Sequence, residues 1–201
     1  DLALELVRQD PEKAYVSSYD DPVLWSGHAT MIDELAKQCD KPDAIVCSVG
    51  GGGLLSGILE GLDRNGWSDV AVIGCGAYGA NAFAASMEAG KLTRIPAATS
   101  IITCIGAEIV TPRIMELSKT HNLGAYLTSD LRAVEACERF LDDHRLLVDP
   151  SCGVSLAALY ENTPLLGNAK TVVSIVCGGV GIKLAKLRRM RRLAEQKNEL
   201  Q

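Results

Sequence analysis

The chain has 201 residues, 47% of them hydrophobic and only 4% aromatic, and it carries a net charge of −5. That length suffices for one full core, or for a large domain with part of another, and an aliphatic core suits a parallel sheet buried under helices. The acidic balance argues against a nucleic-acid partner, no apolar run reaches the length of a membrane span, and the residues after Asp1 lack the basic patch and apolar core of a signal peptide.

In chain order, residues 1–8 read as the end of a helix that stops at Pro11, and Ala14–Ser17 as a short strand. Asp20-Asp21-Pro22 reads as a turn, and a helix over residues 28–39 presents Met31, Ile32 and Leu35 on one face. A strand over residues 43–48, a glycine run at 50–53, a helix over 54–64 and a strand over 70–75 then form a βαβ unit, which demands a crossover and a parallel pair. Short helices at 81–88 and 111–119 flank the poorly patterned stretch 90–108, a length of loop that is often functional. A brief strand at 125–127 precedes Ser129, an N-cap for the helix 130–143, and another helix covers 152–161. Thr171–Cys177 has the strongest strand composition in the chain, and a last helix runs from about Ile182 to near the end. Strands alternating with helices predict an α/β fold, an open and mostly parallel sheet with helices on both faces.

Three segments carry chemistry. Gly50, Gly51, Gly52 and Gly53 lie between a strand and a helix, where the absence of Cβ atoms lets backbone N–H groups converge on an anion at the positive end of the helix. A phosphate is the natural occupant, although no Lys-Ser/Thr pair follows as in a P-loop. Cys177 stands at the carboxyl end of its strand before Gly178-Gly179, the end at which open α/β sheets bind ligands, although a small buried thiol is the usual meaning of an isolated cysteine. Asp149-Pro150-Ser151-Cys152-Gly153 joins an apolar stretch to a helix start and reads equally well as ordinary cap chemistry.

Other residues are set aside. The seven cysteines include no C-x-x-C pair and most keep apolar company, so reduced thiols are expected rather than disulfides or a zinc site. His28 reads as structural, and His121 and His144 as residues that satisfy carbonyls near helix ends. The cations from Lys183 to Arg192 interleave with Leu184, Leu187 and Met190 at helical spacing, which describes a solvated helix face.

Taken together these segments resemble the serine/threonine dehydratases, members of the fold-type II pyridoxal-phosphate enzymes. Residues 20–28 (DDPVLWSGH) are similar to the family's D-D-P-x-x-W-x-G-H, residues 48–53 to its S-V-G-G-G-G phosphate loop, residues 149–153 to its E-P-A-C-G, and residues 177–179 to its C-G-G. The resemblance implies β-elimination that turns L-serine into pyruvate and ammonia, and L-threonine into 2-oxobutyrate. The alternative is a non-catalytic paralogue or fragment that binds a ligand or partner. By the same resemblance Gly50–Gly53 and Leu54 would hold the cofactor phosphate, Cys177 would face the pyridine nitrogen with Gly178 also binding the cofactor, and Gly153 and its neighbours would line the cofactor wall. A neutral thiol at Cys177 would suit elimination, which needs only a brief carbanion. Residues 1–12 would end a small domain and 13–201 would form the large, cofactor-binding one. A homodimer in the cytoplasm, with an amino acid as substrate, is the family's expectation.

Two departures stand out. The family's Schiff-base lysine belongs to an N-terminal motif that none of this chain's lysines matches, so no catalytic residue is assigned here and the chain is expected to be a piece lacking that segment. Gly76 replaces a glutamate that helps the family hold a cation, which leaves only the carbonyls of Gly50, Ala80, Ile105 and Ala107 for a potassium ion.

Overall fold

The computed structural model describes residues 2–199. Four strands, β1 (Ala44–Ser48), β2 (Ala71–Ala77), β3 (Leu123–Thr128) and β4 (Val172–Ser174), form one parallel sheet in the order β3-β2-β1-β4. The helices are α1 (Leu2–Gln9), α2 (Pro22–Gln38), α3 (Gly53–Arg64), α4 (Ala82–Ala89), α5 (Pro112–Leu117), α6 (Asp130–His144), α7 (Pro150–Tyr160) and α8 (Leu184–Glu199). Alternation along the strands sends Ile45, Cys47 and Val72 to one face, where Ile58, Leu62, Phe83 and Ile114 from α3, α4 and α5 complete a core with Ile32 of α2. Val46, Ile73 and Cys75 point to the other face, against Ala133 of α6 and Val154 and Ala158 of α7. Outside that layer, α8 buries Leu187 in a third cluster with Val134, Cys137 and Leu156. Both faces of the sheet are thus covered, the α/β architecture expected from the sequence.

Three local readings need correction. Ala14–Ser17 is coil: no neighbouring strand is at hand, Tyr15 and Val16 are exposed, and the Ser17 hydroxyl accepts from the amides of Tyr19 and Asp20 in a local turn. The first long helix begins six residues before His28, because Asp21 caps it through the Val23 amide and Pro22 fits the first turn. Thr171–Cys177, the strongest strand by composition, forms a ladder only over Val172–Ser174. It is an edge strand with β1 as its single neighbour, and beyond Ile175, whose amide still reaches the Val46 carbonyl, the chain leaves the sheet.

The pairing of α2 with α3 depends on small residues. Gly53, Gly57 and Gly61 repeat every fourth position and so share one face of α3. A Cβ at Gly57 would stand 2.6 Å from the Trp25 carbonyl oxygen, and one at Gly61 would stand 2.7 Å from that of Ala29. The α2 backbone therefore lies in a groove that these glycines leave open.

Candidate active site

From β1 the chain moves toward β2, and from β3 it returns across the sheet to β4, so the connections diverge at the carboxyl end of β1. Open α/β sheets bind ligands in such a crevice. Here it holds a cleft of about 330 Å³ whose lining includes Gly50, Gly51, Gly52, Gly53, Leu54 and Cys177.

The glycine loop is held from three sides. The Gly51 carbonyl accepts from the Thr111 amide at 2.8 Å, and the Thr111 hydroxyl donates to Asp20 at 2.5 Å. Tyr19 lies on the loop: a Cβ at Gly51 would clash with its ring, and one at Gly53 would stand 2.8 Å from its Cα. Trp25 fixes that segment by donating its Nε1–H to the Tyr19 carbonyl. Gly52 caps α3 at φ +94°, a left-handed conformation that glycine adopts without strain, and no side chain caps the helix. Among the described residues, the amides of Gly50–Gly53 and Leu54 donate to no protein acceptor. Free amides at a helix start, cleared of Cβ atoms and opening on a cleft, fit a phosphate group.

The Cys177 thiol is exposed to the cleft, with its sulfur 3.6 Å from the Ser48 hydroxyl. Behind it, Cys152 in the first turn of α7 is buried, and its S–H donates to the carbonyl of Gly178, the residue after Cys177, at 3.2 Å. The two thiols titrate as a pair. Donation from Cys152 and then from Ser48 lowers the Cys177 thiol from its ordinary value, while the same contact and burial raise that of Cys152. Of the two thiols, Cys177 is therefore the one whose proton is held less tightly.

The remaining expected residues fall as follows. Gly178 is absent from the cleft lining, and its carbonyl accepts from the Asp149 amide and from Cys152 at the start of α7. Gly153, expected at the cofactor wall, is instead buried where α7 crosses α6: a Cβ there would stand 2.8 Å from the Ala133 carbonyl carbon and from the Cys137 sulfur. Gly50 backs onto Ile105, whose Cα would be 3.1 Å from a Cβ at position 50. The Ala80 carbonyl lies 3.0 Å from the place a Gly76 Cβ would occupy, so backbone fills the start of the missing glutamate's path. Among the described residues no group of three or more His, Cys, Asp or Glu side chains could hold a metal ion.

Sequence reasoning missed Tyr19 and Cys104 and read His28 as structural, yet all three line the cleft, as does Ser151, a neighbour of Gly153 in the segment expected at the cofactor wall. For His28 a signal was present. Gly57 faces its Cβ, and a glycine in mid-helix marks the place where another element comes close.

Comparison with known proteins agrees with this geometry. A family model described as pyridoxal-phosphate dependent enzyme matches residues 1–178. The human L-serine dehydratase/L-threonine deaminase is 41% identical over 209 residues, covering all of this chain and 64% of that protein. The L-serine dehydratase of Dictyostelium discoideum is also 41% identical, over 92% of this chain and 56% of that protein. The crystal structure of a fungal L-serine ammonia-lyase from Rhizomucor miehei superposes with a TM-score of 0.85 at 37% identity, covering 90% of this chain and 59% of that one. The chain thus spans between 56% and 64% of the length of these relatives.

Proposed function

The chain belongs to the family of pyridoxal-phosphate dependent enzymes, and on that premise we propose that its protein eliminates water from L-serine, giving pyruvate and ammonia, and from L-threonine, giving 2-oxobutyrate. The observation that carries this reading is the cleft that unites the free amides of the glycine loop with Ser48 and Cys177 at the carboxyl ends of neighbouring strands. The names of the relatives favour it over a non-catalytic binding module.

When bound, the cofactor supplies a conjugated ring that takes up electron density from the substrate α-carbon. The chain's own residues bind and orient. Gly50–Gly53 and Leu54 would hold the phosphate through their amides, reinforced by the positive end of α3. Cys177 would face the ring nitrogen, with Ser48 beside it and Cys152 as the donor behind it. A thiol pair there exerts a weaker hold on a proton at that nitrogen than an aspartate would, which suits a reaction whose leaving group departs as charge builds. Leu54 and Ile105 would shield the site from water. Carbonyls of Gly50, Ala80, Ile105 and Ala107 would hold a potassium ion, a reading supported by the contact of Gly50 with Ile105.

Residues 13–201 would form the cofactor-binding domain, while residues 1–12 would belong to a smaller one, in keeping with α1, which buries none of its residues. We place the protein in the cytoplasm as a homodimer. No described helix is long and apolar enough to cross a membrane.

The test is product analysis with the full-length protein, pyridoxal phosphate and each amino acid. Pyruvate and ammonia in equal amounts from L-serine support the assignment. Cofactor binding without either keto acid would overturn it in favour of the binding module.

A further inference from the structure

The cleft wall contains a second chemical possibility that elimination does not use. We propose that Cys152 and Cys177 are an oxidation-sensitive dithiol that closes to a disulfide when a peroxide enters the cleft. Cys177 is exposed and lines an open cleft of about 330 Å³, so a small oxidant reaches its sulfur. Cys152 lies directly behind it, 1% exposed, with its sulfur 3.2 Å from the carbonyl of the residue that follows Cys177. Between the end of β4 at Ser174 and the start of α8 at Leu184 the chain forms no strand or helix and contains Gly178, Gly179 and Gly181, with Gly178 at φ +119°. Bringing the Cys177 Cα within the roughly 4.4–6.8 Å that a disulfide spans would then disturb the bonds that hold the Gly178 carbonyl to the Asp149 amide and to Cys152, but no strand or helix.

The chemistry is balanced. The Cys177 sulfur, as thiolate, attacks one peroxide oxygen: an S–O bond forms, the O–O bond breaks, and the departing hydroxide takes up the proton that Cys177 released and leaves as water. The Cys152 sulfur then attacks the Cys177 sulfur, an S–S bond forms, the S–O bond breaks, and the hydroxyl leaves as a second water with the Cys152 proton. Two thiols are oxidised and one peroxide is reduced. The lowered Cys177 thiol suits the attacking role, because the thiolate is the nucleophile, and the buried Cys152, kept protonated, suits the resolving one. Cys47, Cys75 and Cys137 are buried thiols raised by burial and do not compete for oxidant. Cys39 and Cys104 are exposed, and Cys104 lines the same cleft.

Closing the bridge would draw Cys177 toward α7 and away from Ser48. On the reading that Cys177 faces the cofactor ring, which is the proposed function above, oxidation and cofactor binding would then exclude one another.

The test uses the purified protein, first freed of cofactor, with hydrogen peroxide at about one equivalent, followed by thiol blocking, tryptic digestion and mass analysis. Cys152 and Cys177 fall in separate tryptic peptides, residues 146–170 and 171–183. The expected product is those two peptides linked, with the protein lighter by about 2 Da, the mass of two hydrogens. The linked pair disappears when the same treatment is applied in urea, where the folded juxtaposition is lost. A link from Cys177 to Cys104, or Cys177 driven to its sulfinic acid with Cys152 still free, overturns the dithiol. A parallel sample holding pyridoxal phosphate separates the two readings. Suppression of the link supports both, whereas an undiminished link keeps the dithiol and removes Cys177 from the cofactor's contact.

Discussion

Gly57 and Gly27 make a matched pair of perturbations, the same exchange on two packed helices with opposite expected signs. Gly27 lies in the exposed face of α2, and a Cβ there would have nothing within 4 Å. Gly27→Ala therefore keeps only the helix-propensity gain, about 0.5–1 kcal/mol. Gly57 lies under α2, and a Cβ there would sit 2.6 Å from the Trp25 carbonyl oxygen and 3.1 Å from the Ala29 amide nitrogen. Both are backbone atoms and cannot rotate away, so α2 must move out. Overpacking of this kind costs about 1–3 kcal/mol, and the upper half of that range applies to a clash with backbone, which leaves a net loss of about 1–2 kcal/mol after the propensity gain. For a chain of this size each kcal/mol moves the melting temperature by about 2–4 °C. Gly27→Ala should melt a few degrees above the wild type and Gly57→Ala a few degrees below it, with unchanged urea m-values. Because His28 and Tyr19 line the cleft from this side, Gly57→Ala should also weaken binding of pyridoxal phosphate while Gly27→Ala leaves it intact. A Gly57→Ala protein as stable as the wild type would refute the claim that these glycines set the distance between the helices.

Three further outcomes are expected. Gly52→Ala places a side chain at φ +94°, which costs about 1–2 kcal/mol, so fluorescence titration should show cofactor affinity falling about tenfold, and an unchanged Kd would remove this residue from the phosphate cradle. Asp130→Ala strips a buried carboxylate from the Ser100 hydroxyl, the Ile101 amide and Lys197 at 2.7 Å; the loss should be about 2–3 kcal/mol, below that of a fully buried pair because Lys197 is about one-third exposed, and faster amide exchange in α8 should accompany it. Asp43 accepts the amides of Thr171 and Lys170, which hold its carboxyl below the ordinary 3.8, so its contribution is full above that value and is lost as pH falls through the lower folded one. Acid titration should show Asp43→Asn less stable than the wild type near neutrality, with the gap closing only as the pH falls below 3.8; curves that stay parallel would discount these bonds.

The buried βαβ unit was legible because strand, glycine turn and helix are each specified over a few adjacent residues. What was misread depends on neighbours. Asp21-Pro22 looks like a turn, yet there, as at Asp149-Pro150, which reads equally well as a cap, the aspartate accepts an amide two residues on and the proline occupies the first helical turn, so both helices start earlier than their apolar periodicity does. Thr111-Pro112 repeats the device at the start of α5. Residues 171–177 have β-branched composition throughout, but composition reports a half-buried surface and not the presence of a second neighbour. Val173 and Ile175 pack against the core while the ladder ends at Ser174.

The same distinction governs the site. Residues 50–53 announce themselves because a phosphate held by backbone requires glycine in the sequence, whatever surrounds it. Tyr19 and Cys104 belong to segments far from the loop in sequence, and nothing local marks them as facing it, whereas His28 is marked only indirectly, by the mid-helix Gly57 that makes room for it. Cys152 shows the limit most plainly. Its sequence setting, a small residue in a helix start after Asp-Pro, is ordinary, and only the return of the chain from β4 past α7 brings Cys177 within reach of its thiol. The chemistry of Cys177 is therefore a property of two segments joined by the crossover. A change at Cys152, which does not line the cleft, should alter the thiol that does.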